Sequence, residues 1–330
     1  MATLEPHHEP CPQASSSRRR PIILATVVVL LFAASAWLLW SPSRDQRRIP
    51  TEEDVALAAA IIGEGFREGD LLRIEPWWMT GPRRELLAAI GHPADIDNPL
   101  FPLDLRGHPD PLHLLRFERV WLVKAYSARA TPGSRLLPIT TKEIESHDIS
   151  PRLRVSLHEI RERPLVYDLL LNLDQAVVHR GERFCPWQAS RERHHCGEEA
   201  WKDVYPTLKE VGDSSRQCIF AEPHPAGEPL RITYPEVPRE GRLVLKSGFS
   251  IEGVRREAGA DTEVRLLVDD VEVRSWIEPK NDFVWRETEV VWDSSPENEP
   301  APSHSVVTIE IKAPAIGWRQ LCLDGGVLKR

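Results

Sequence analysis

Three kinds of feature are missing from this 330-residue sequence, and each absence removes a class of function. Positive charge is in deficit, with 42 Lys and Arg residues against 50 Asp and Glu residues, which argues against nucleic acid as a partner. No Gly-rich phosphate loop follows either of the first two predicted strands, so no nucleotide and no cofactor is predicted. No G-x-S-x-G elbow is present, and no Cys-His dyad survives once the cysteines pair as disulfides. We therefore predict no catalytic residue.

Long hydrophobic runs are also scarce, and the clearest is residues 21–40, which carry no charge and follow three arginines at 18–20. About 20 apolar residues are enough for a helix to cross a bilayer. Trp37 and Trp40 lie at the far end, where aromatic rings favour the membrane interface. The run predicts a transmembrane helix that acts as a signal anchor. The alternative is a cleaved signal peptide with its site at residues 34–36, Ala-Ser-Ala.

Either interpretation exports the rest of the chain from a bacterial cytoplasm. With an anchor, residues 1–20 form a cytoplasmic tail, residues 41–51 form a linker, and the remainder lies on the periplasmic face of the cell membrane. The flanking arginines do not decide this orientation, because three follow the run and three precede it. The decision rests on the cysteines.

Four of the five cysteines lie on the long side of the run, and an even set in an exported domain predicts two disulfides. Four cysteines allow three connectivities. We favour Cys185 with Cys196, a local loop, and Cys218 with Cys322, a long one. The alternative is four buried free thiols in a cytosolic domain, since a chain of this length can build a core without disulfides.

The fold class that the patterns predict is α+β and multidomain. Residues 52–163 alternate helix and strand patterns, which favours a small α/β domain with a parallel sheet. The predicted elements are a helix from Glu52, a strand at 71–75, a helix at 83–90, a short helix at 112–117, and strands at 119–126 and 152–160.

Residues 164–330 predict a disulfide-containing, all-β sandwich of jelly-roll-like type. Short alternating runs are separated by Gly and Pro, and Asp269-Asp270 between two of them predicts a hairpin turn. The predicted strands are 231–234, 242–246, 264–268, 271–276, 287–291, 306–311 and 319–323.

Tryptophans are the candidate ligand-binding residues. Trp77 and Trp78 follow the first predicted strand, at the end of a parallel sheet where ligands collect. Among the late tryptophans, Trp285 and Trp292 are the chosen candidates for a sugar-stacking platform, with Trp276 and Trp318 near them in sequence. The alternative for each is a place in the core, where strand tryptophans usually lie.

No metal is predicted, although His194 and His195 stand beside Cys196 and near Cys185. The spacing matches no zinc finger or ribbon, and in an oxidising compartment the two cysteines pair with each other. Carboxylates could support glycosidic hydrolysis, but separation in space cannot be read from a sequence, so none is paired here.

Short motifs resemble the extracytoplasmic C-terminal region of bacterial polytopic glycosyltransferase-like membrane proteins, relatives of the protein mannosyltransferase and aminoarabinose transferase group. In the first domain they are GDLLRIEPWW at 69–78 and RVWLV at 119–123. In the second they are YDLLLNL from Tyr167, CPW from Cys185 and RQLCLDG from Arg319. Those transferases carry their catalytic acids between many membrane spans, whereas one span is predicted here. The resemblance therefore implies an accessory or recognition part of envelope glycan metabolism, and no catalytic residue is carried over.

Together these patterns predict a single-pass envelope protein that binds a glycan, a glycolipid or a partner protein without catalysis. One alternative is an exported glycoside hydrolase or transferase with its site between the two domains. A structural envelope scaffold is the other. Convergent carboxylates in a deep pocket would favour the enzyme, and a shallow aromatic strip on the sandwich would favour binding.

Overall fold

The computed structural model describes residues 28–37, 49–76, 81–91, 103–104, 110–125, 136–212, 214–223, 228–250, 259–292, 303–315 and 320–329. It divides the chain into two units, Met1–Ile49 and Pro50–Arg330. In the first unit residues 28–37 are helical, and the other half of the predicted anchor at 21–40 falls outside the described ranges. No helix within those ranges has both the length and the apolar character needed to span a membrane.

The second unit begins with helix α1, Glu52–Gly65, and its start follows directly from the sequence. Thr51 Oγ1 accepts a hydrogen bond from the Asp54 amide at 3.2 Å, and Asp54 Oδ2 accepts one from the Thr51 amide at 2.8 Å. This reciprocal capping box satisfies two amides that the first turn leaves free. Helices α2, Gly81–Ala89, and α3, Pro111–Leu114, follow, and Asp110 caps α3 through the Leu112 amide.

The helices accompany a five-stranded sheet that is mixed, so the prediction of a parallel sheet is only partly right. The strands are β1 Asp70–Glu75, β2 Leu103–Asp104, β3 Arg119–Ala125, β4 Thr141–Ser150 and β5 Leu153–Ile160, in the order β2-β1-β3-β5-β4. Strands β2, β1 and β3 are parallel, whereas β5 and β4 are antiparallel to their neighbours. The two-residue turn after Ser150 accounts for the antiparallel pairing of β4 with β5, because a turn this short can join only antiparallel strands.

The remainder forms the predicted β-sandwich. The first sheet has the order β11-β12-β19-β14-β17, with β6 also paired to β19, and the second has the order β16-β15-β18-β13-β7-β8. Apolar side chains from both sheets share one buried core. The bounds are β6 Leu165–Asp168, β7 Val177–Arg180, β8 Arg183–Cys185, β9 Trp187–Gln188, β10 Arg193–His194, β11 Tyr205–Val211, β12 Ser214–Ala221, β13 Leu230–Pro238, β14 Arg242–Phe249, β15 Thr262–Val268, β16 Val271–Glu278, β17 Arg286–Val291, β18 His304–Lys312 and β19 Leu321–Leu328.

The predicted hairpin turn at Asp269-Asp270 is confirmed between β15 and β16. Both residues have positive φ, 51° and 64°. A two-residue hairpin loop with both central residues in this region matches the twist of its strands, and Asp tolerates it better than most residues do.

Both predicted disulfides are present with the favoured connectivity. Cys185 pairs with Cys196, which closes a loop around the two-stranded ribbon of β9 and β10. Cys218 on β12 pairs with Cys322 on β19, so this bond joins neighbouring strands of the first sheet. All four cysteines are buried.

Buried ion pairs connect the helical segment to the sandwich within the second unit. Arg116, just after α3, bonds to Asp168 at 2.6 Å and also to Asp324. Both carboxylates share one guanidinium, and burial raises the pKa of Asp324 to about 6 despite the nearby Arg116. The predicted boundary between residues 163 and 164 lies inside this unit and stays a prediction. These charged groups are too buried to reach a substrate, so they do not form the interdomain catalytic site of the enzyme alternative.

Candidate functional site

A groove of about 500 Å³ lies where the edge strands of the two sheets approach each other. Strand β16 is the edge of the second sheet and β17 is the edge of the first. We call this site the tryptophan groove, and define it by six of its lining residues: Trp276, Asp282, Val284, Trp285, Arg286 and Glu287. It presents two half-buried indole rings beside charged side chains.

Trp276 is oriented by hydrogen bonds that cross from one sheet to the other. Its indole Nε1 donates to Ser247 Oγ on β14 at 2.9 Å and to Glu278 Oε1 at 2.8 Å. Ser247 also donates to Glu278. A half-buried tryptophan usually finds a hydrogen-bond partner for its N–H. Because the N–H of Trp276 is bonded within the protein, the face of its ring is the part that can contact a ligand.

Glu278 is a buried carboxylate that contacts two residues of the groove, Trp276 and Arg286. Its side chain is only 1 % exposed, and Arg286 Nε lies 3.2 Å from its Oε2. Burial raises the pKa of Glu278, while the bonds from Ser247 and Trp276 and the charge of Arg286 act in the opposite direction. Arg286 also pairs with Asp282 at 2.5 Å, so two carboxylates hold this guanidinium in place.

A second ion-pair network lies next to Trp285 and joins Asp110, the N-cap of α3, to Arg216 on β12 and Lys246 on β14. The Arg216 guanidinium lies 5.4 Å from the centre of the Trp285 ring, within the range of a cation–π contact. Arg216 also pairs with Asp110, and Lys246 contacts both Asp110 and Glu287 at 2.9 Å. Burial opposes ionisation of Asp110, but Arg216 and Lys246 outweigh it and lower its pKa.

Apolar side chains are exposed in the same chain segment as the groove. Val284, which lines the groove, has an exposed fraction of 57 %, and Ile277 and Phe283 have exposed fractions of 52 % and 41 %. Ile277 follows Trp276 directly on β16 and therefore lies on the opposite face of the strand.

The four predicted ligand-binding tryptophans lie in different parts of the chain and differ in their surroundings. Trp285 lines the groove. Trp292 is 9 % exposed and packs in the sandwich core, with the Arg239 guanidinium 5.8 Å from its ring centre, so it contributes no groove surface. Trp77 and Trp78 lie outside the described residues, as does Trp318.

The His and Cys cluster near residue 190 is structural. His194 is buried, and its two ring nitrogens lie 3.0 Å and 2.8 Å from the carbonyl oxygens of Cys185 and Leu173. His195 contacts Asp203 at 3.2 Å. Within the described ranges, no three His, Cys, Asp or Glu side chains group in a way that could hold a metal.

Sequence reasoning missed the residues that build the groove around its tryptophans. Ser247, Glu278 and Arg286 come from three different strands and meet only because the edges of both sheets meet. One local signal existed, since Trp276 and Glu278 are two apart on a strand and therefore share a face.

No family model and no curated protein matches this sequence. Among solved structures, a family 51 carbohydrate-binding module from Clostridium perfringens, in complex with methyl-galactose, is 14 % identical with a TM-score of 0.25, covering 37 % of this chain and 77 % of that one. A family 27 module from Caldicellulosiruptor saccharolyticus, in complex with mannohexaose, is 10 % identical with a TM-score of 0.30, covering 50 % and 96 %. A Stig cyclase from Fischerella is 11 % identical with a TM-score of 0.30, covering 50 % and 100 %. Likenesses at these TM-scores carry no argument about the function of this chain.

Proposed function

We propose that this chain is a non-catalytic, extracytoplasmic protein that binds a glycan in the tryptophan groove. The observation that carries the proposal is the groove itself, where Trp276 and Trp285 stand half-buried beside the ion-paired Asp282 and Arg286. Indole faces supply apolar contact area, and fixed polar groups supply orientation and specificity.

The chemistry of a sugar suits this combination. A pyranose ring has apolar C–H faces that stack on an aromatic ring and hydroxyl groups around its edge that hydrogen-bond. Trp276 already uses its N–H within the protein, so its ring face is what remains for a ligand. Asp282, Glu287 and Arg286 supply acceptors and donors beside that face.

Binding is favoured over hydrolysis because each acid near the groove already has a partner in the protein, including Glu287, which pairs with Lys246 at 2.9 Å. A paired carboxylate can still accept a hydrogen bond from a sugar hydroxyl. Glu278 is 1 % exposed and accepts bonds from Ser247 and Trp276, so it cannot reach a glycosidic oxygen. Asp282 is paired with Arg286. A general acid must lie within hydrogen-bond reach of the atom that it protonates.

The extracytoplasmic location is part of the proposal. Two disulfides favour an oxidising compartment, and the apolar run at 21–40 is long enough to hold the chain at the membrane. Together with the sequence resemblance to envelope transferases, this supports a recognition role in envelope glycan metabolism. In the next experiment a glycolipid headgroup would bind as its saccharide, whereas a groove that recognises a partner protein would bind no saccharide.

The test is a glycan-array screen of the full chain, followed by calorimetric titration of the best saccharide into three proteins. We expect Trp285→Ala to weaken binding about tenfold or more, as the loss of a central aromatic contact does. Trp201→Ala is the matched control, since Trp201 is half-buried but lies outside the groove. If no sugar binds, or if both variants lose affinity equally, the glycan proposal fails.

The location is tested by mass spectrometry of protein isolated from its native host without reduction and with free thiols blocked. We expect Cys185–Cys196 and Cys218–Cys322 to be recovered as bonded pairs. Four blocked thiols would place the domain in a reducing compartment and contradict the export prediction.

A further inference from the structure

A second cavity, of about 560 Å³, lies at the other edge of the second sheet. Strand β8 is the edge strand there, whereas β16 carries the tryptophan groove at the opposite edge. We call this site the arginine cavity, and define it by its four basic lining residues: Arg180, Arg183, Lys202 and Arg231. Glu182 and Glu228 also line it, so cations outnumber carboxylates by four to two on a chain whose net charge is −8.

The β7–β8 hairpin places two of these cations directly against each other. Arg180 is the register partner of Arg183, and the turn between them begins at Gly181, whose φ is 60°. Side chains of directly opposed residues lie on the same face of a sheet, and like charges in this arrangement destabilise it. Neither arginine forms an ion pair in the part of the chain that the structure describes, and the nearby charges of Glu222 and Asp203 compensate Arg180 only in part.

Arg180 is a buried cation, and only part of its guanidinium group is hydrogen-bonded. Its side chain is 3 % exposed, and Nη2 donates to the carbonyl oxygens of Lys202 at 2.7 Å and Glu222 at 2.9 Å. Its Nε and Nη1 are buried without a hydrogen-bond partner. Burial lowers the pKa of Arg180 to about 10, although the carboxylates of Glu222 and Asp203 act to raise it. A buried charge with carbonyl partners alone is costly for a fold.

The other cations of the cavity differ in their availability. Lys202 pairs with Glu199 at 2.6 Å, and Arg231 pairs with Glu310 at 2.8 Å. Arg183 is exposed and is therefore the residue best able to contact a ligand directly. Cys196 forms part of the lining, and its disulfide to Cys185 holds β8 beside the cavity. The disulfide thus holds the backbone of β8, the strand that carries Arg183, in place.

We propose that the arginine cavity binds an oxyanion, either a carboxylate or a phosphate group carried by a ligand. Arg183 makes the direct, charge-assisted contacts, because a guanidinium presents two parallel donors that match an oxyanion. Arg180 contributes a buried positive charge at the same site, and the bound anion relieves the repulsion between the two arginines. This site is separate from the tryptophan groove and does not depend on the function proposed for it.

The experiment is calorimetric titration of the full chain with inorganic phosphate, with glucuronate and with neutral glucose. We expect at least one anion to bind and glucose to give no heat at this site. Arg183→Gln should weaken anion binding by about tenfold, the loss that one charge-assisted hydrogen bond produces, and Arg183→Lys should lose less. Arg183 is exposed, so neither substitution is expected to disturb folding.

Controls separate this site from general electrostatics and from the groove. Arg274→Gln removes an equal charge from an exposed position on β16 and should leave anion affinity unchanged, and Trp285→Ala in the groove should leave phosphate affinity unchanged. Binding of phosphate alone would identify a phosphate ligand, and binding of glucuronate alone would identify a carboxylate. The proposal is overturned if neither anion binds the wild-type chain, or if Arg274→Gln weakens binding as much as Arg183→Gln does.

Discussion

The two edges of the second sandwich sheet differ in how completely a buried charge is hydrogen-bonded within the protein. At the β16 edge, Glu278 is buried with side-chain partners from its own strand and from the first sheet: Trp276, Ser247 and Arg286. At the β8 edge, Arg180 is buried with two backbone carbonyls and leaves two nitrogens without partners. At the β16 edge the buried charge has partners within the protein, so the aromatic ring faces are what a ligand can contact. At the β8 edge the buried charge lacks part of its hydrogen-bond partners, so its positive charge can interact with a ligand.

The edges also differ in what holds them. The β8 edge is joined covalently to the β10 segment through Cys185–Cys196, whereas the β16 edge is joined to the first sheet by side-chain hydrogen bonds at Ser247. At the β8 edge the disulfide holds together a site whose like charges repel each other. At the β16 edge the charges are complementary, and hydrogen bonds hold the site together. Three changes test this contrast.

The largest effect is expected from removing the tie at the β8 edge with Cys185→Ala and Cys196→Ala together. Loss of a short disulfide loop should lower the free energy of unfolding by about 2–4 kcal/mol. Urea unfolding measures that loss, and titrations measure the sites. We expect anion binding to fall while glycan binding in the groove persists. Equal loss at both sites would show that the two edges are not independent.

A smaller effect is expected from Trp276→Phe at the other edge. The substitution keeps an aromatic ring but removes the donor to Ser247 and Glu278, so a buried carboxylate loses a hydrogen bond. We expect a loss of about 1–2 kcal/mol in unfolding free energy, measured by urea unfolding. The matched control is Trp201→Phe. A cost no greater than that of the control would mean that the network does not hold the edge.

The smallest effect is a change in the pH dependence of stability with Glu278→Gln. Burial raises the pKa of Glu278 in the folded state, so the folded protein holds this proton more tightly than the unfolded chain does. The stability from that difference is complete below the unfolded pKa, about 4.3, and is lost as pH rises through the folded pKa. We expect the free energy of unfolding of the variant to decline less than that of the wild-type protein as pH rises through the folded pKa. A series of unfolding curves across the acidic range measures this decline. An unchanged slope would contradict the assignment.

Prediction from sequence succeeded where the pattern was local. The short strands of the sandwich, the turn at Asp269-Asp270 and the pairing of Cys185 with Cys196 follow from alternation, turn dihedrals and nearness in sequence. The mixed sheet was missed because strand β4 shows little alternation and most of its side chains are exposed. Without that strand, the antiparallel edge of the sheet could not be anticipated.

The candidate sites divide in the same way. Trp285 was selected by residue type and lies in the groove, whereas Trp292 was selected by the same signal and lies in the core. A strand places alternate side chains on opposite faces, but which face meets water depends on the packing of the two sheets. Arg180 gave no signal of its own, since its burial results from strands β7 and β13 pairing across about fifty residues of sequence.

The sequence by itself determined the elements with local causes: the capped start of α1, the strand-and-turn succession of the sandwich and an even set of cysteines in the long segment. Only the tertiary structure decided which charges share a site. The arginine cavity combines residues between 180 and 231, whereas the groove is lined by residues 275–288 and depends on Ser247 from β14 to orient Trp276. Sheet order places the two sites at opposite edges. Electrostatic interactions depend on distance and burial in space, and neither quantity is encoded in the spacing of residues along a chain.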